Sequence, residues 1–269
     1  MTTTATRPGR ARARAEISAK TLRTDRWWVQ PLIIAAILGF FVVYSTIRIF
    51  MNKWYFVPEG GYLTPLYSPC LSDSCVEGSS HFGTPFGEFP RWLPLGLAAF
   101  PIVAGFRVTC YYYRKAYYRS FWMSPPACAV AEPHKKYTGE TRFPLIFQNS
   151  HRYFFYLAAV VLAINLYDAV HAHIEDGQFQ AGLGNVVIWI NWLMLAGYTL
   201  SCHACRHVVG GRLKHFSKHP VRYRFWTFVS KLNARHGFYA MTSLVTVIAT
   251  DAYIMATSAG WFDDPRFIN

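Results

Sequence analysis

Five stretches of the sequence each carry about 20 mainly apolar residues, and this feature limits the possible folds more than any other. The hydrocarbon core of a bilayer needs a helix of about that length to cross it. Because lipid offers the backbone no hydrogen-bond partners, such segments must be helical. We therefore predict an all-α membrane protein with five transmembrane helices in one bundle. The predicted spans lie near 31–50, 93–113, 153–173, 186–208 and 238–260.

The spans and their loops form one predicted anchor domain, residues 27–260. A basic, flexible cytoplasmic arm, 1–26, is expected before it, and a short outer tail, 261–269, after it. The composition agrees with a membrane domain, because 52% of residues are hydrophobic and only 15% are charged. Within the second span, Pro101 and Gly105 predict a kink.

Lysine and arginine are distributed unevenly between the two sides of the predicted bundle. Residues 1–30 hold seven of them, residues 111–152 hold seven and residues 206–236 hold eight, whereas the loops on the other side hold three. By the positive-inside rule this places the N-terminus in the cytoplasm and the C-terminus outside, in a bacterial cytoplasmic membrane. Topology thus accounts for the formal net charge of +13 without a nucleic-acid partner. The basic loops also suit a docking surface for acidic partner subunits.

The cysteines divide between the two sides. Cys70 and Cys75, in "CLSDSC", fall in the outer loop, where an oxidising environment allows a short disulfide. The other four cysteines fall at or below the inner face, where thiols stay reduced. A structural disulfide between Cys202 and Cys205 is therefore not expected.

An inner layer of polar residues predicts a metal centre, because intramembrane polar groups are costly and usually functional. Its core is "YTLSCHACRHVVGG", which closes the fourth span. Imidazole and thiolate ligands suit iron, zinc and copper. On a regular helix the two cysteines share one face and the two histidines another, so the cysteines would need histidines from neighbouring helices. The alternative is small packing cysteines and satisfied structural histidines. The candidate ligands are Cys202, Cys205, His236, His151, His203 and His207.

Two cysteines and two histidines are the ligand set of a Rieske-type [2Fe–2S] centre, and also of a zinc site. Polarity and depth further suggest Trp27, Trp28 and Arg107 as inner contacts of a quinone.

An outer polar layer accompanies the inner one. Asp168 and His171 lie near the end of the third span and Asp251 lies in the fifth. A carboxylate and an imidazole at one depth would form a proton relay or hydrogen-bond a quinone carbonyl. The alternative is that the two aspartates are buried partners of Arg48 or of backbone groups.

With these motifs the chain resembles the single-chain, five-helix membrane-anchor subunits of succinate dehydrogenase and fumarate reductase, and the actinobacterial members most closely. The resemblance covers about residues 27–260. It rests on the five spans, on "NSHRYFFYLA", "YTLSCHACRHVVGG" and "LNARHGFYAM". It implies a quinone site in the membrane, with menaquinone expected, and a flavoprotein and an iron–sulfur subunit docked on the cytoplasmic face.

Many members of that family carry two haems b held by four histidines on four helices. The first two spans of this chain contain no histidine, so paired haems are not expected. We expect a Cys/His-ligated [2Fe–2S] centre first and a single haem b, using His236 with His151, His203 or His207, second.

The expected function is that of the non-flavin membrane subunit of a succinate:quinone oxidoreductase. One alternative is a haem b-containing, quinone-reactive subunit of another respiratory complex, such as a hydrogenase or a nitrate reductase. A second alternative is a non-redox membrane scaffold.

Overall fold

Eight α-helices make up more than half of the residues that the structure describes. The computed structural model describes residues 23–133, 145–175 and 177–268, so most of the predicted arm 1–26 lies outside the described residues. The helices are α1 (Val29–Met51), α2 (Phe100–Val108), α3 (Tyr111–Ser120), α4 (His151–His171), α5 (Leu183–Leu200), α6 (His203–Gly210), α7 (Pro220–Asn233) and α8 (His236–Ser258).

Four of these helices, α1, α4, α5 and α8, are long and apolar enough to cross a membrane. With 23 residues each, α1 and α8 extend about 34 Å at the helical rise of 1.5 Å per residue. The predicted spans near 31–50, 153–173 and 238–260 each correspond to one such helix. The prediction of an all-α membrane protein is confirmed, whereas a fifth continuous helix is not present in the described part of the chain.

The predicted second span, 93–113, is broken. A short 3-10 helix, Leu95–Ala98, leads into α2, and the chain then breaks at Thr109–Cys110 before α3. Pro101 does not kink this helix, because it lies in the first turn, where its missing N–H costs no hydrogen bond. Gly105 serves close packing instead, since a Cβ there would lie 2.2 Å from the Phe154 ring on α4.

The predicted fourth span, 186–208, is broken in the same way. The long helix α5 ends at Leu200, Ser201 and Cys202 interrupt the helix, and α6 follows. α5 packs closely on α8 because Gly197 has no side chain; a Cβ there would lie 2.4 Å from the Tyr239 ring.

The bundle has two distinct ends. We call "proximal" the end at which α1, α4 and α8 begin and α5 ends, and "distal" the opposite end. Packing runs mainly from α5 to α8 and α4, from α2 to α4, and from α1 to α3. Many apolar side chains on the outside remain exposed, including Phe40, Val43 and Val160, as expected for a surface that contacts lipid.

The distal end is covered by the segment between α1 and α2. Its buried tyrosines pack with Ile49 and Leu95, and Cys70 and Cys75 form a disulfide, as the outer-loop position allowed. Burial raises the pKa of Tyr67 to about 12, so its hydroxyl stays protonated and donates to the Arg48 carbonyl, 2.6 Å away, at the end of α1.

The only strands in the described residues are short antiparallel pairs at the distal end. They are β1 (Phe56–Val57) with β2 (Tyr62–Leu63), β3 (Ile174–Glu175) with β4 (Gln178–Phe179), and β5 (Ala181–Gly182) with β6 (Arg266–Ile268). The last pair fixes the predicted tail, 261–269, to the start of α5.

Candidate functional site

Two pairs, each of one thiol and one imidazole, lie at the proximal end, where Cys110, Cys202 and His151 are buried and His236 is half-buried. The Nε2 atom of His151 is 3.0 Å from the Cys202 Sγ atom, and the Nε2 atom of His236 is 3.3 Å from the Cys110 Sγ atom. The four residues come from four separate segments: the break before α3, the start of α4, the break before α6 and the start of α8. Sequence segments far apart in the chain thus meet in one place.

Both helix breaks have the same local design. Cys110 and Cys202 each occupy the extended N-cap position of the following helix. The residue before each cysteine carries a hydroxyl, as Thr109 and as Ser201. The backbone turn at each break therefore presents a hydroxyl and a thiol next to each other.

The two breaks hold the two histidines in a crossed arrangement. Thr109 Oγ1 lies 2.9 Å from His151 Nδ1, while its neighbour Cys110 faces His236. Ser201 Oγ lies 2.7 Å from His236 Nδ1, while its neighbour Cys202 faces His151. Each imidazole is thus held between the hydroxyl of one break and the thiol of the other.

The hydroxyl groups also fix the imidazole tautomers. Thr109 donates its hydroxyl proton to the Gly105 carbonyl at 2.7 Å, and Ser201 donates to the Tyr198 carbonyl at 3.1 Å. A hydroxyl has one proton, so each can only accept from the imidazole Nδ1–H. In the neutral rings Nε2 is then unprotonated, and its lone pair points at a cysteine sulfur. Metal-binding histidines are oriented in this manner, through a hydrogen bond on the other ring nitrogen.

Aromatic side chains surround the pairs and keep the site dry. Phe106 stacks on His151 with ring centroids 5.0 Å apart, and Tyr198 stacks on His236 at 5.2 Å. The Phe106 and Tyr198 rings are themselves 5.1 Å apart, so they connect the two histidines. The Arg107 guanidinium lies 4.8 Å from the Tyr198 ring centroid.

The other predicted ligands do not join these pairs. Cys205 is buried in the same core cluster, but no contact with an imidazole is described for it. His203 and His207 are exposed and line a surface pocket beside Trp226. His207 Nδ1 lies 2.7 Å from an Arg152 guanidinium nitrogen.

In the described part of the chain, no group of three or more histidine, cysteine or acidic side chains is placed to hold one metal ion. The predicted assembly of Cys202 and Cys205 with several histidines is not formed among the described residues, because Cys202 contacts His151 whereas no imidazole contact is described for Cys205.

The predicted quinone contacts are not brought together. Trp27 lines a cavity of ≈ 320 Å³ at the proximal surface with basic residues of α3, whereas Trp28 is 51% exposed. Arg107 is buried in the bundle, where its guanidinium donates to the Tyr113 hydroxyl and to Ser243 Oγ. It lies between a cavity of ≈ 70 Å³ inside the bundle and an apolar groove of ≈ 490 Å³ along α1, α2 and α3.

At the distal end, Asp251 is the buried partner of Arg48. The Arg48 Nε atom is 2.6 Å from Asp251 Oδ2, and Tyr44 donates its hydroxyl to the same oxygen at 2.6 Å. The remaining guanidinium nitrogens donate to the carbonyls of Lys53 and Trp54. This pairing is the structural alternative that the sequence left open for Asp251.

Asp168 belongs to a second distal cluster that does not include Asp251. It accepts hydrogen bonds from the Ser68 hydroxyl and from His81 Nδ1, the latter at 2.7 Å. The His171 ring lies 4.6 Å from the His81 ring, centroid to centroid. His81 Nε2 and His171 Nδ1 are both buried, and no partner for either is described.

Sequence reasoning missed Cys110 as a partner of His236, the roles of Thr109 and Ser201, and His81. For the first three, the repeated hydroxyl–cysteine dipeptide at a helix end was an available signal. For His81 there was none, because a long loop brings it to Asp168.

The fold and the two polar layers define a class of protein. It is a multi-pass helical membrane subunit with buried thiol–imidazole pairs near one end and buried carboxylates near the other.

Comparison with known proteins identifies the family. The family model for the actinobacterial succinate dehydrogenase subunit SdhC matches residues 29–260. A chain of the Mycobacterium smegmatis Sdh1 complex in the apo form is 57% identical, with a TM-score of 0.91 over 96% of this chain and 98% of that chain. No curated protein matches. The chain belongs to the actinobacterial succinate dehydrogenase membrane-subunit family.

It follows that the chain is one subunit of a succinate dehydrogenase, an oxidoreductase complex, and that its partners include the other subunits. With several apolar helices, it is a multi-pass protein of the bacterial cytoplasmic membrane.

Proposed function

We propose that this subunit docks the flavoprotein and iron–sulfur subunits and carries electrons from succinate oxidation to a membrane quinone through a [2Fe–2S] centre. The proposed ligands are Cys110, Cys202, His151 and His236. The observation that carries the proposal is the pair of thiol–imidazole contacts, in which each imidazole Nε2 lies 3.0 or 3.3 Å from a sulfur.

The donor set and its spacing fit such a centre. Two ligands of one tetrahedral metal, with metal–sulfur and metal–nitrogen bonds of about 2.3 and 2.1 Å, lie about 3.6 Å apart. The sulfur–nitrogen contacts of 3.0 and 3.3 Å are shorter than that value, so each pair would open by about 0.6 or 0.3 Å to hold an iron. In a [2Fe–2S] centre each iron takes only two protein ligands, so no group of three around one ion is needed.

A buried group without a partner also supports the fit. The Tyr198 ring lies between His236 and Phe106, and no hydrogen-bond partner is described for its hydroxyl. A sulfur atom of a bound centre would be an acceptor there.

The pairing differs from the usual Rieske arrangement, in which two cysteines hold one iron and two histidines the other. Here each thiol pairs with one imidazole, which favours one cysteine and one histidine on each iron. Cys110 takes the place that the sequence suggested for Cys205.

The chain's own groups prepare the site. Thr109 and Ser201 hold the imidazoles with Nε2 free, and the thiols lose their protons when a metal binds. The rings of Phe106 and Tyr198 stack on the two imidazoles and cover one face of each. When bound, a [2Fe–2S] centre supplies one-electron transfer.

A single haem b at this site is less well supported. His151 and His236 each have a thiol within 3.3 Å of Nε2, so a macrocycle could not lie against either imidazole in this arrangement. The cavity beside the pairs measures ≈ 70 Å³, against roughly 300–1,000 Å³ for typical ligand pockets.

The proposed orientation puts the proximal end in the cytoplasm. The exposed proximal segments carry Arg26, Lys115, Arg212, Lys214 and Arg224, among other basic residues. Such segments stay on the cytoplasmic side of a bacterial membrane. The iron–sulfur subunit would then dock next to the thiol–imidazole pairs.

The groove along α1, α2 and α3 is the proposed quinone site. Apolar side chains line most of it, and Arg107 and Tyr113 lie along it. An isoprenoid quinone such as menaquinone has an apolar tail and carbonyl oxygens that accept hydrogen bonds. Arg107 is the proposed donor. Trp27 and Trp28 do not line this groove, and their part in quinone binding stays a prediction.

A matched pair of cysteine variants tests the proposed ligands. Cys110→Ser should remove the centre, because serine lacks the sulfur that faces His236, whereas Cys205→Ser should retain it. Iron and acid-labile sulfide per complex are the measurement. Equal iron in both variants and in the wild-type complex would refute the assignment of Cys110.

We further propose that Asp168, His81 and His171 exchange protons at the distal side during quinone reduction. Their contact and the two unpartnered ring nitrogens support this role. Asp251 is less suited, since Arg48 neutralises its charge.

Asp168→Asn should slow quinone reduction, because the amide oxygen can still accept from His81 but the amide cannot take up a proton. We expect a loss at the low end of the 10²–10⁴-fold range of general acid–base catalysis, roughly 100-fold. Steady-state rates between about pH 4.5 and 8.5, roughly one unit beyond either side of the usual histidine range, give the measurement. Ser68→Ala, which removes a neutral donor to the same carboxylate, is the control and should keep the rate. A rate in Asp168→Asn equal to wild type at every pH would show that the cluster is structural.

A further inference from the structure

The hydroxyl of Tyr198 is buried between the two thiol–imidazole pairs and has no described hydrogen-bond partner. Leaving a buried hydroxyl unpaired destabilises a protein. Tyr198 is one of the largest fully buried side chains of the chain, so water cannot satisfy it from outside.

The ring of Tyr198 is held in place by its neighbours. It stacks on His236, and the Arg107 guanidinium lies over it at 4.8 Å. The Tyr113 ring meets it edge to face, with centroids 5.8 Å apart, and Phe106 packs at 5.1 Å. The hydroxyl therefore cannot swing to a partner elsewhere.

Two thiols lie near Tyr198, together with Tyr113 and Arg107. Cys110 and Cys202 both interact electrostatically with Tyr198. Cys110 is close enough for weak contact, although the geometry gives no hydrogen bond between them. A neutral thiol is a weak acceptor, whereas a thiolate or sulfide is a charged and much stronger one.

We propose that Tyr198 donates a hydrogen bond to a sulfur atom of the [2Fe–2S] centre and thereby raises its reduction potential. This inference rests on the proposed function. The reduced centre carries one more negative charge than the oxidised one, so a donor aimed at its sulfur stabilises the reduced form more. Tyr198 is a positioning and tuning residue for electron transfer, not a ligand.

Tyr198→Phe tests the proposal in the intact complex, because it removes one oxygen and leaves the ring in place. At a given potential the ratio of reduced to oxidised centre should fall about tenfold, which for one electron is a shift of about 59 mV to more negative potential. A redox titration monitored by electron paramagnetic resonance measures this. In the wild type, electron–nuclear double resonance should also detect a proton that exchanges in D₂O and couples to the reduced centre, and Tyr198→Phe should lose it.

Tyr67→Phe is the matched control. It removes an equally buried tyrosine hydroxyl at the distal end, where the hydroxyl already has a backbone partner. It should leave the potential and the proton coupling unchanged. A centre that is present but has the same potential in Tyr198→Phe, or a wild-type centre without the exchangeable proton, would overturn the inference. A wild-type complex with no [2Fe–2S] signal from this subunit would instead overturn the proposed function.

Discussion

Replacing His151 or His236 with alanine is expected to lower the succinate:quinone reductase activity of the intact complex by at least about 100-fold, the scale on which even the outer partners of metal ligands act. Each imidazole is the nitrogen donor of one thiol–imidazole pair, with the sulfur 3.0 or 3.3 Å from Nε2. Without it, one iron would lose half of its protein ligands. The rate of quinone reduction with succinate as donor is the measurement.

Two controls show whether the loss of quinone reductase activity arises at the thiol–imidazole pairs. Reduction of a soluble dye by succinate should persist in both variants, because the flavoprotein subunit does not depend on this site. His203→Ala and His207→Ala should keep quinone reductase activity, since both side chains are exposed and no contact of either with a thiol is described. If these two variants fail while His151→Ala and His236→Ala remain active, the ligand assignment is wrong.

Asp251→Ala is expected to destabilise the subunit by about 3–5 kcal/mol, because it leaves the buried Arg48 cation without its partner. The Arg48 side chain is 2% exposed and that of Asp251 is 0% exposed, so water cannot replace the lost carboxylate. Arg48 also donates hydrogen bonds to the backbone carbonyls of Lys53 and Trp54, which follow α1. The variant should therefore also destabilise the distal segment. Thermal unfolding of the detergent-solubilised complex measures the change.

The double variant Arg48→Met/Asp251→Leu separates the two roles considered for Asp251. Replacing a buried ion pair by apolar residues of similar volume is often neutral, so stability should return close to that of the wild type. If the pair is structural, this double variant should also keep quinone reduction. A stable but inactive double variant would instead assign Asp251 to proton transfer.

The membrane spans could be predicted because apolar length alone determines which segments can cross a bilayer. Three predicted spans agree with α1, α4 and α8 to within about two residues at each end, the usual scatter of helix boundaries. The breaks at Thr109–Cys110 and Ser201–Cys202 could not be predicted. Neither contains glycine or proline, and contacts with histidines on other helices stabilise them.

The depth of the polar residues was predictable, but their pairing was not. Counting along each span placed the inner histidines and cysteines in one layer. Which thiol faces which imidazole depends on how the helices rotate about their axes, and a single sequence does not contain that rotation. Cys205 therefore looked equivalent to Cys202, although only Cys202 lies at the break and faces His151.

For the distal polar residues, too, the depth could be predicted from the sequence but the pairing could not. Arg48 and Asp251 stood at one depth, so an ion pair and a proton relay were both open. His81 forms a hydrogen bond with Asp168 only because the segment between α1 and α2 folds back over the bundle.

The most direct test of the account is electron paramagnetic resonance of the reduced, intact complex, with iron and optical spectra of the same sample. The account predicts a [2Fe–2S] signal beyond those of the iron–sulfur subunit, lost in Cys202→Ser and retained in Cys205→Ser, with no b-type haem absorbance. A reduced b-type spectrum, or no iron beyond that of the partner subunits, would contradict it.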